Sequence, residues 1–524
     1  MNRARPARRR VVRLALTAAV LAGAVGGCAL SGGLVPAGLP IPGRPLWEEP
    51  PPPIRVGRVV PRDRLHRGEL ENGLRWIVLE DPRLPLLSVG VAFRRGAGAV
   101  EPGRAGLAVF LAELMERGAG GRNALEFARA VDRLGADLSV QAGWDSLTVT
   151  LSGLSRDRDR LMELLADVVL RPRLEPVEVE RVRGQQLAAL ERALDSPGNL
   201  AAWQLARVLY PNHRYGLPLE GSPATVAGLD RDAARELHER LVAGRDMVFF
   251  AVGELSPEEV LADLRARFGG VAADSPPAAA PMPPEPTPPE RRVVVVDRPD
   301  AGQARILVGH GGMARDDPDR IAASLVEAAL GSGGFSSRLM ARIRAHEGLT
   351  YSVYAGFAMR RRPGPFLVSA ATRVPAAART VELVLEELGR IRREPPGAEE
   401  LRRFQSLLAG RFALSLETSE ALVSGLVDLE VHDLPEDSLD TYRARVRAVT
   451  AAEAARVARE RIDPERVAIV VVGPAEALEP ELARFGPVEV LSPESILGAL
   501  QPVAAARPAM RPKKVPSPSE SPLE

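Results

Sequence analysis

A duplicated α+β body is the fold class the sequence predicts: two tandem homologous domains, each an antiparallel-rich sheet packed with helices. Three observations predict it. The continuous apolar run Val248–Gly253 ends in glycine, and Ala468–Gly473 repeats that pattern 220 residues later. Each run is preceded by a segment of helical period, Asp232–Leu241 and Ala451–Ile462, and self-similarity at a fixed offset marks a repeated unit. Between the copies, Ser275–Glu290 is too dense in proline for a helix interior or a central strand, and it cuts the body into similar lengths.

In chain order, residues 1–28 are expected to be an export signal. Arg3, Arg5, Arg8, Arg9, Arg10 and Arg13 form a positive start, and Leu14–Val25 is an apolar stretch too short to span a bilayer comfortably. It ends in Val25-Gly26-Gly27-Cys28, which resembles a bacterial lipobox and makes Cys28 the expected lipidation site. The alternative is an ordinary cleaved signal with a chance cysteine. Cys28 is the only cysteine, which excludes an intrachain disulfide and any multi-cysteine metal centre. Ala29 follows it, and by resemblance to such signals the absence of aspartate there favours a periplasm-facing outer-membrane lipoprotein of a bacterial envelope. Residues 29–64 are rich in proline and read as a tether.

The first domain is set at 65–274. Leu74–Leu79 and Leu87–Phe93 alternate as strands, Ala105–Glu116 and Ala124–Arg133 carry helical period, and Leu138–Ala142 with Ser146–Leu151 form a hairpin-like pair. Long helical stretches follow at Asp157–Val169, Val177–Leu194 and Leu200–Leu209. After the linker at 275–291, the second domain is set at 292–487, with helices near Ala376–Arg392, Glu399–Leu416 and Ser419–Leu429. Ile321–Gly331 answers Gly106–Arg117, and Ser352–Gly356 answers Ser139–Gly143. Residues 488–524 are expected to be a disordered tail.

Several function classes are excluded. A net charge of +1 with 4% aromatic residues leaves no basic face for nucleic acid. Only Lys513 and Lys514 among 69 basic residues are lysines, an imbalance attributed to a GC-rich genome because the acidic residues offset it. No Gly-Lys-Ser/Thr follows Gly331-Ser332-Gly333-Gly334, and Gly-x-Ser-x-Gly is absent.

The chemistry is concentrated in the run from Gly331 to Tyr354. A glycine turn leads into a helix capped by Ser336 or Ser337, with Leu339, Ile343 and His346 at helical spacing and Gly348 placed for a left-handed cap. From Thr350 the pattern alternates, so that Tyr351, Val353, Ala355 and Phe357 share a strand face. Arg344 and Tyr351, seven residues apart, thus flank one turn. An arginine near a helix C-terminus and a tyrosine in a strand also have ordinary structural uses.

This run resembles the second half of the pitrilysin (insulinase) family of zinc metallopeptidases, an inverzincin group. The resemblance implies that Arg344 and Tyr351 grip the substrate backbone and the oxyanion formed at a zinc, and that Gly333, Gly334 and Phe335 bind substrate. It also implies a clam-like half chamber. Tyr210-Pro211-Asn212-His213-Arg214-Tyr215-Gly216 resembles the family's His-Pro-Tyr-Gly turn, with Arg214 in place of proline and His213 taken as structural.

The family's metal helix carries His-x-x-Glu-His, and here Val109-Phe110-Leu111-Ala112-Glu113 stands in those positions. Val109 and Glu113 replace the zinc ligands and Ala112 replaces the base. The third ligand falls within Gln186–Leu190, where no carboxylate stands; Glu191 is one residue off, about 100° around the helix. Among the six histidines, no two are one turn apart. The resemblance is therefore to the non-zinc-binding Arg/Tyr subunit type. It implies no metal bound by this chain, zinc in a His-x-x-Glu-His-containing partner, and a peptide substrate. The alternatives are a catalytically dead assembly protein and a peptide-binding, chaperone-like lipoprotein.

Overall fold

The computed structural model describes residues 58–274 and 290–499. The expected signal with Cys28, most of the tether, most of the linker and the chain after 499 lie outside the described residues. In chain order the strands are β1 (Leu65–Glu69), β2 (Arg75–Glu80), β3 (Leu86–Phe93), β4 (Gly118–Ala119), β5 (Arg122–Asn123), β6 (Asp137–Ala142) and β7 (Leu147–Leu154). They continue as β8 (Met247–Gly253), β9 (Arg292–Asp297), β10 (Gln303–Gly311), β11 (Thr350–Phe357), β12 (Pro365–Arg373), β13 (Ala468–Gly473) and β14 (Val488–Leu491). Apart from the small β4–β5 ribbon they build two six-stranded sheets, ordered β1-β2-β8-β3-β7-β6 and β14-β9-β13-β10-β12-β11.

Laid over one another, the two orders coincide from the second strand onward. β2 matches β9, β8 matches β13, β3 matches β10, β7 matches β12 and β6 matches β11. Both sheets hold a parallel pair at the same place, β2 with β8 and β9 with β13, and both turn antiparallel from there to the β6 or β11 edge. The helices repeat as well. Pro176–Ala193 and Ala398–Ser415 are 18 residues each, Pro197–Leu209 and Ser419–Val431 are 13, and Arg231–Leu241 and Ala451–Arg461 are 11.

Local sequence explains these elements. Leu147, Val149 and Leu151 alternate into the core while Thr148, Thr150 and Ser152 face away. β8 and β13 are buried along their whole length, as their unbroken apolar runs require. Asp230 accepts the Ala233 N–H at 2.8 Å, and Thr450 with Glu453 forms a capping box; each such cap contributes about 1 kcal/mol.

One face of each sheet packs on its own repeat's helices. The other is covered by a helix of the opposite repeat. Leu200, Leu205 and Leu209 lie on Val294, Leu307, Val470 and Val472 of the second sheet. Reciprocally, Leu422, Leu426 and Val427 lie on Ile77, Leu79, Val248 and Phe250 of the first. A fully buried side chain of this kind is worth about 1.5–3 kcal/mol.

A clasp strengthens the exchange. The turn between β11 and β12 places the Arg360 guanidinium 4.2 Å from the Trp144 ring and 4.5 Å from that of Tyr215. The Arg361 N–H donates to Asp145 at 2.9 Å, and the Tyr210 hydroxyl donates to Pro363 O at 3.2 Å. His432 joins Asp145 (3.2 Å) to Asp428 (3.0 Å). Burial opposes the charged ring, but the bonds to Asp145 and Asp428 outweigh it and push the His432 pKa up to about 9.

Two expectations about boundaries are corrected. The second domain does not end at 487: β14 adds in parallel to β9, and the helix Pro493–Ala499 seats Ile496 against the Pro197–Leu209 helix. The short run Val488-Glu489-Val490-Leu491 completes an edge that β1 completes in the first sheet. The end of the tether belongs to the body too, since the Val59 and Val60 amides both donate to Asp440. Finally, among the described residues no helix is long and apolar enough to cross a membrane.

Candidate functional site

The chain from Ala328 to Phe357 is built to hold one arginine between two rings. The helix Arg320–Glu327 continues into a wide turn at Ala328–Ser332, where Gly331 is required because a Cβ there would sit 2.5 Å from the Ala355 amide. After the tight turn Gly334–Ser336, a second wide-turn helix, Met340–His346, carries Arg344. Helices of this i→i+5 kind are rare and concentrate at functional sites. The chain leaves it through Gly348, at φ +64°, as the sequence indicated, and enters β11.

Arg344 and Tyr351 are brought together. The Arg344 guanidinium carbon lies 4.6 Å from the Tyr351 ring centre and 4.6 Å from that of Phe335, so the cation is stacked between them. Tyr351 is 82% exposed and Phe335 74%. Arg344 makes no ion pair among the described residues, which leaves its N–H fork available at the surface.

Details differ from the expected arrangement. Tyr351 does not share a face with Val353, Ala355 and Phe357. Thr350 pairs with Thr372 but Val353 pairs with Ala370, so β11 carries an extra residue at this point. Such bulges re-aim a side chain. Thr350 Oγ1 accepts the Ser352 N–H (3.2 Å) and donates to Ala371 O (2.7 Å), holding the bulge. His346 is exposed, unlike buried Leu339 and Ile343, because the wide turns break the three-and-four spacing. The Ser337 hydroxyl donates to Gly334 O at 2.7 Å instead of capping the helix. Gly333 is buried, where a Cβ would meet Ala328 O at 2.2 Å, so its role is packing, whereas Gly334, at φ +79°, turns the chain toward Phe335.

Sequence reasoning assigned no role to the residues that brace this turn. Arg338 makes a two-pronged pair with Glu400 (3.0 and 2.7 Å) and donates to Glu394 O at 2.7 Å. Arg411 donates to Ser332 O at 3.0 Å. Their signal was the run of arginines and glutamates on the Ala398–Ser415 helix, whose target only the fold reveals. Glu327, beside this segment, accepts the Phe357 N–H, yet burial dominates and pushes its carboxyl up to about 7.

The matched helix of the first repeat, Leu107–Met115, has no such equipment. Val109 and Glu113 line a cavity of about 480 Å³ with Gln186, Ala189 and Leu190. Ala112 is buried, and Glu113 faces solvent with Arg117 at 3.7 Å. Two carboxylates, Glu113 and Glu220, with amides and aliphatic groups do not fit a zinc ion, which takes four nitrogen, sulfur or carboxylate ligands. Among the described residues no three His, Cys, Asp or Glu side chains group to hold any metal ion. His213 is 2% exposed, and burial followed by Arg362, Arg360 and Arg214 pushes its pKa down to about 4; its Nδ1 accepts the Tyr215 N–H. Arg214 is fully buried and donates to the carbonyls of Leu217, Pro218 and Leu219, which is what an arginine does in that turn where a proline would not.

Fold and site together define a duplicated peptidase-like body with an exposed arginine–tyrosine pair and, among the described residues, no group of side chains that could hold a metal ion. Two family models match it in tandem, Insulinase (Peptidase family M16) over residues 76–222 and Peptidase M16 inactive domain over 228–408. The chain belongs to the insulinase family, M16. It is similar to an uncharacterized zinc protease of Streptomyces coelicolor, with 26% identity covering 78% of this chain and 90% of the relative. A Helicobacter pylori protein named as a non-peptidase homolog is 26% identical, over 52% of this chain and 63% of its own length. The crystal structure of a peptidase M16 inactive domain from Pseudomonas fluorescens superposes with a TM-score of 0.71, at 26% identity over 78% of this chain and 98% of that one.

Proposed function

We propose that this chain is the non-zinc subunit of a two-chain metallopeptidase. The observation that carries the proposal is the exposed stack of Phe335, Arg344 and Tyr351, in a chain whose Leu107–Met115 helix lacks the His-x-x-Glu-His residues. In this reading the metal, its ligands and the base belong to a His-x-x-Glu-His-containing partner. Tyr351 donates its hydroxyl proton in a hydrogen bond to the oxyanion, and Arg344 donates to substrate carbonyls. The chain would be exported, lipid-anchored through Cys28, and would act on peptides at the envelope. The names of its relatives support this direction, since they include both zinc proteases and a non-peptidase homolog.

The test is reconstitution with a partner that carries the zinc motif. The chain alone should cleave nothing, and the pair should cleave peptides. Tyr351→Phe in the pair should lower turnover by about 10²–10³, as loss of one oxyanion donor does. A pair whose turnover is unmoved by that change would refute the reading and leave an assembly role.

A further inference from the structure

The cavity on the Leu107–Met115 helix has an unmet need of its own. Gln186 is only 7% exposed, and its Nε2 donates to Gly106 O (3.2 Å) and Glu220 O (2.7 Å). Its Oε1 finds no donor among the described residues. A buried acceptor left so costs about 1–3 kcal/mol, and native structures seldom keep one without a use. The same cavity is lined by the carboxylates of Glu113 and Glu220 and by a single cation, Arg192. Two acidic residues thus face one basic residue, and the lining carries a net negative charge. The walls between them are apolar: Val109, Val182, Leu190 and the Trp203 indole. At about 480 Å³ the space is in the range of ligand pockets.

We infer that this cavity binds a long-stemmed cationic side chain, lysine or arginine, presented by an extended peptide. The methylene stem lies along Val109, Leu190 and Trp203, and the head donates the hydrogen bond that Gln186 Oε1 lacks and offsets the negative charge of Glu113 and Glu220. Stem and head of such residues divide between apolar and polar surroundings in this way. The lining does not suit a metal ion, because it offers only two carboxylates and, among the described residues, no three His, Cys, Asp or Glu side chains group together. A neutral apolar side chain would leave Gln186 Oε1 unmet. The site makes no use of Arg344, Tyr351 or a second chain, so it stands apart from the proposed catalytic role.

Calorimetric titration of the full chain alone decides the matter, with acetyl-Ala-Ala-Lys-Ala-Ala-amide compared with its norleucine and glutamate counterparts. The lysine peptide should bind at least about tenfold more tightly than the norleucine peptide. Glu113→Gln combined with Glu220→Gln should erase that preference, and Val109→Phe, which fills the cavity, should remove binding of all three. Equal binding of lysine and norleucine, or no binding of lysine, overturns the inference, as does a lysine preference that survives the substitutions. Should Val109→Phe fail to fold, the glutamine pair still decides, since both carboxylates are exposed.

Discussion

The two repeats share a strand order and differ in the segments that follow β3 and β10. In the first, the helix Leu107–Met115 packs through Phe110, Leu111 and Leu114 and offers a single carboxylate, Glu113, where a metal site needs several ligands. In the second, the following helix and strand depart from regular geometry to present an arginine and two rings. Among the described residues the wide turns and the bulge thus fall in the second copy, at the segment that carries Arg344 and Tyr351. Local irregularity is retained where surrounding structure holds it in place for a purpose.

The largest effect should appear when this contrast is probed in the reconstituted pair. Tyr351→Phe should slow turnover by about 10²–10³, while Ala112→Ser on the matched helix should leave turnover unchanged; equal losses would erase the functional asymmetry. Symmetry in packing is tested next. Leu205→Ala and Leu426→Ala, each on a helix lent to the opposite sheet, should cost about 2–5 kcal/mol apiece in urea unfolding. A cost on one side only would show that the exchange is not reciprocal.

The His432 link supplies a pH test. Its folded pKa, about 9, is above the unfolded value of 6.5, so its contribution is fully present below pH 6.5 and is lost as pH rises toward 9. The loss should be about 3 kcal/mol in wild type and absent in His432→Asn. Glu327, raised to about 7, adds a loss between its unfolded 4.5 and 7 that Glu327→Gln should remove. The smallest effect is expected from Arg360→Ala, at about 2 kcal/mol, for a largely desolvated cation held by Trp144 and Tyr215.

Much of this was legible in the residues. The duplication, most strand and helix ranges and the Arg344–Tyr351 pairing follow from periodicity, glycine placement and spacing, whereas the missing metal motif on Leu107–Met115 is what the family resemblance implies. The bulge at Tyr351 was not, because a one-residue excess shows only against the partner strand, β12. The wide turns were hidden for a related reason: Leu339 and Ile343 fit ordinary helical spacing, and only the exposed His346 betrays the change. β14 escaped because a four-residue run of alternating valine and glutamate is too short to stand out from a tail. The braces Arg338 and Arg411, and the cavity at Gln186, depend on tertiary neighbours far along the chain.

The crossed helices carry a consequence for biosynthesis. As the amino-terminal half is made, Ile77, Leu79, Val248 and Phe250 have no cover until the Ser419–Val431 segment emerges much later. Neither half can become a finished domain by itself, and nascent chains carry a naked sheet face through the interval, a form prone to clump. Such a chain calls for a holding factor during synthesis, and a gene cut at the proline linker should yield two sticky fragments that become well behaved only when expressed together.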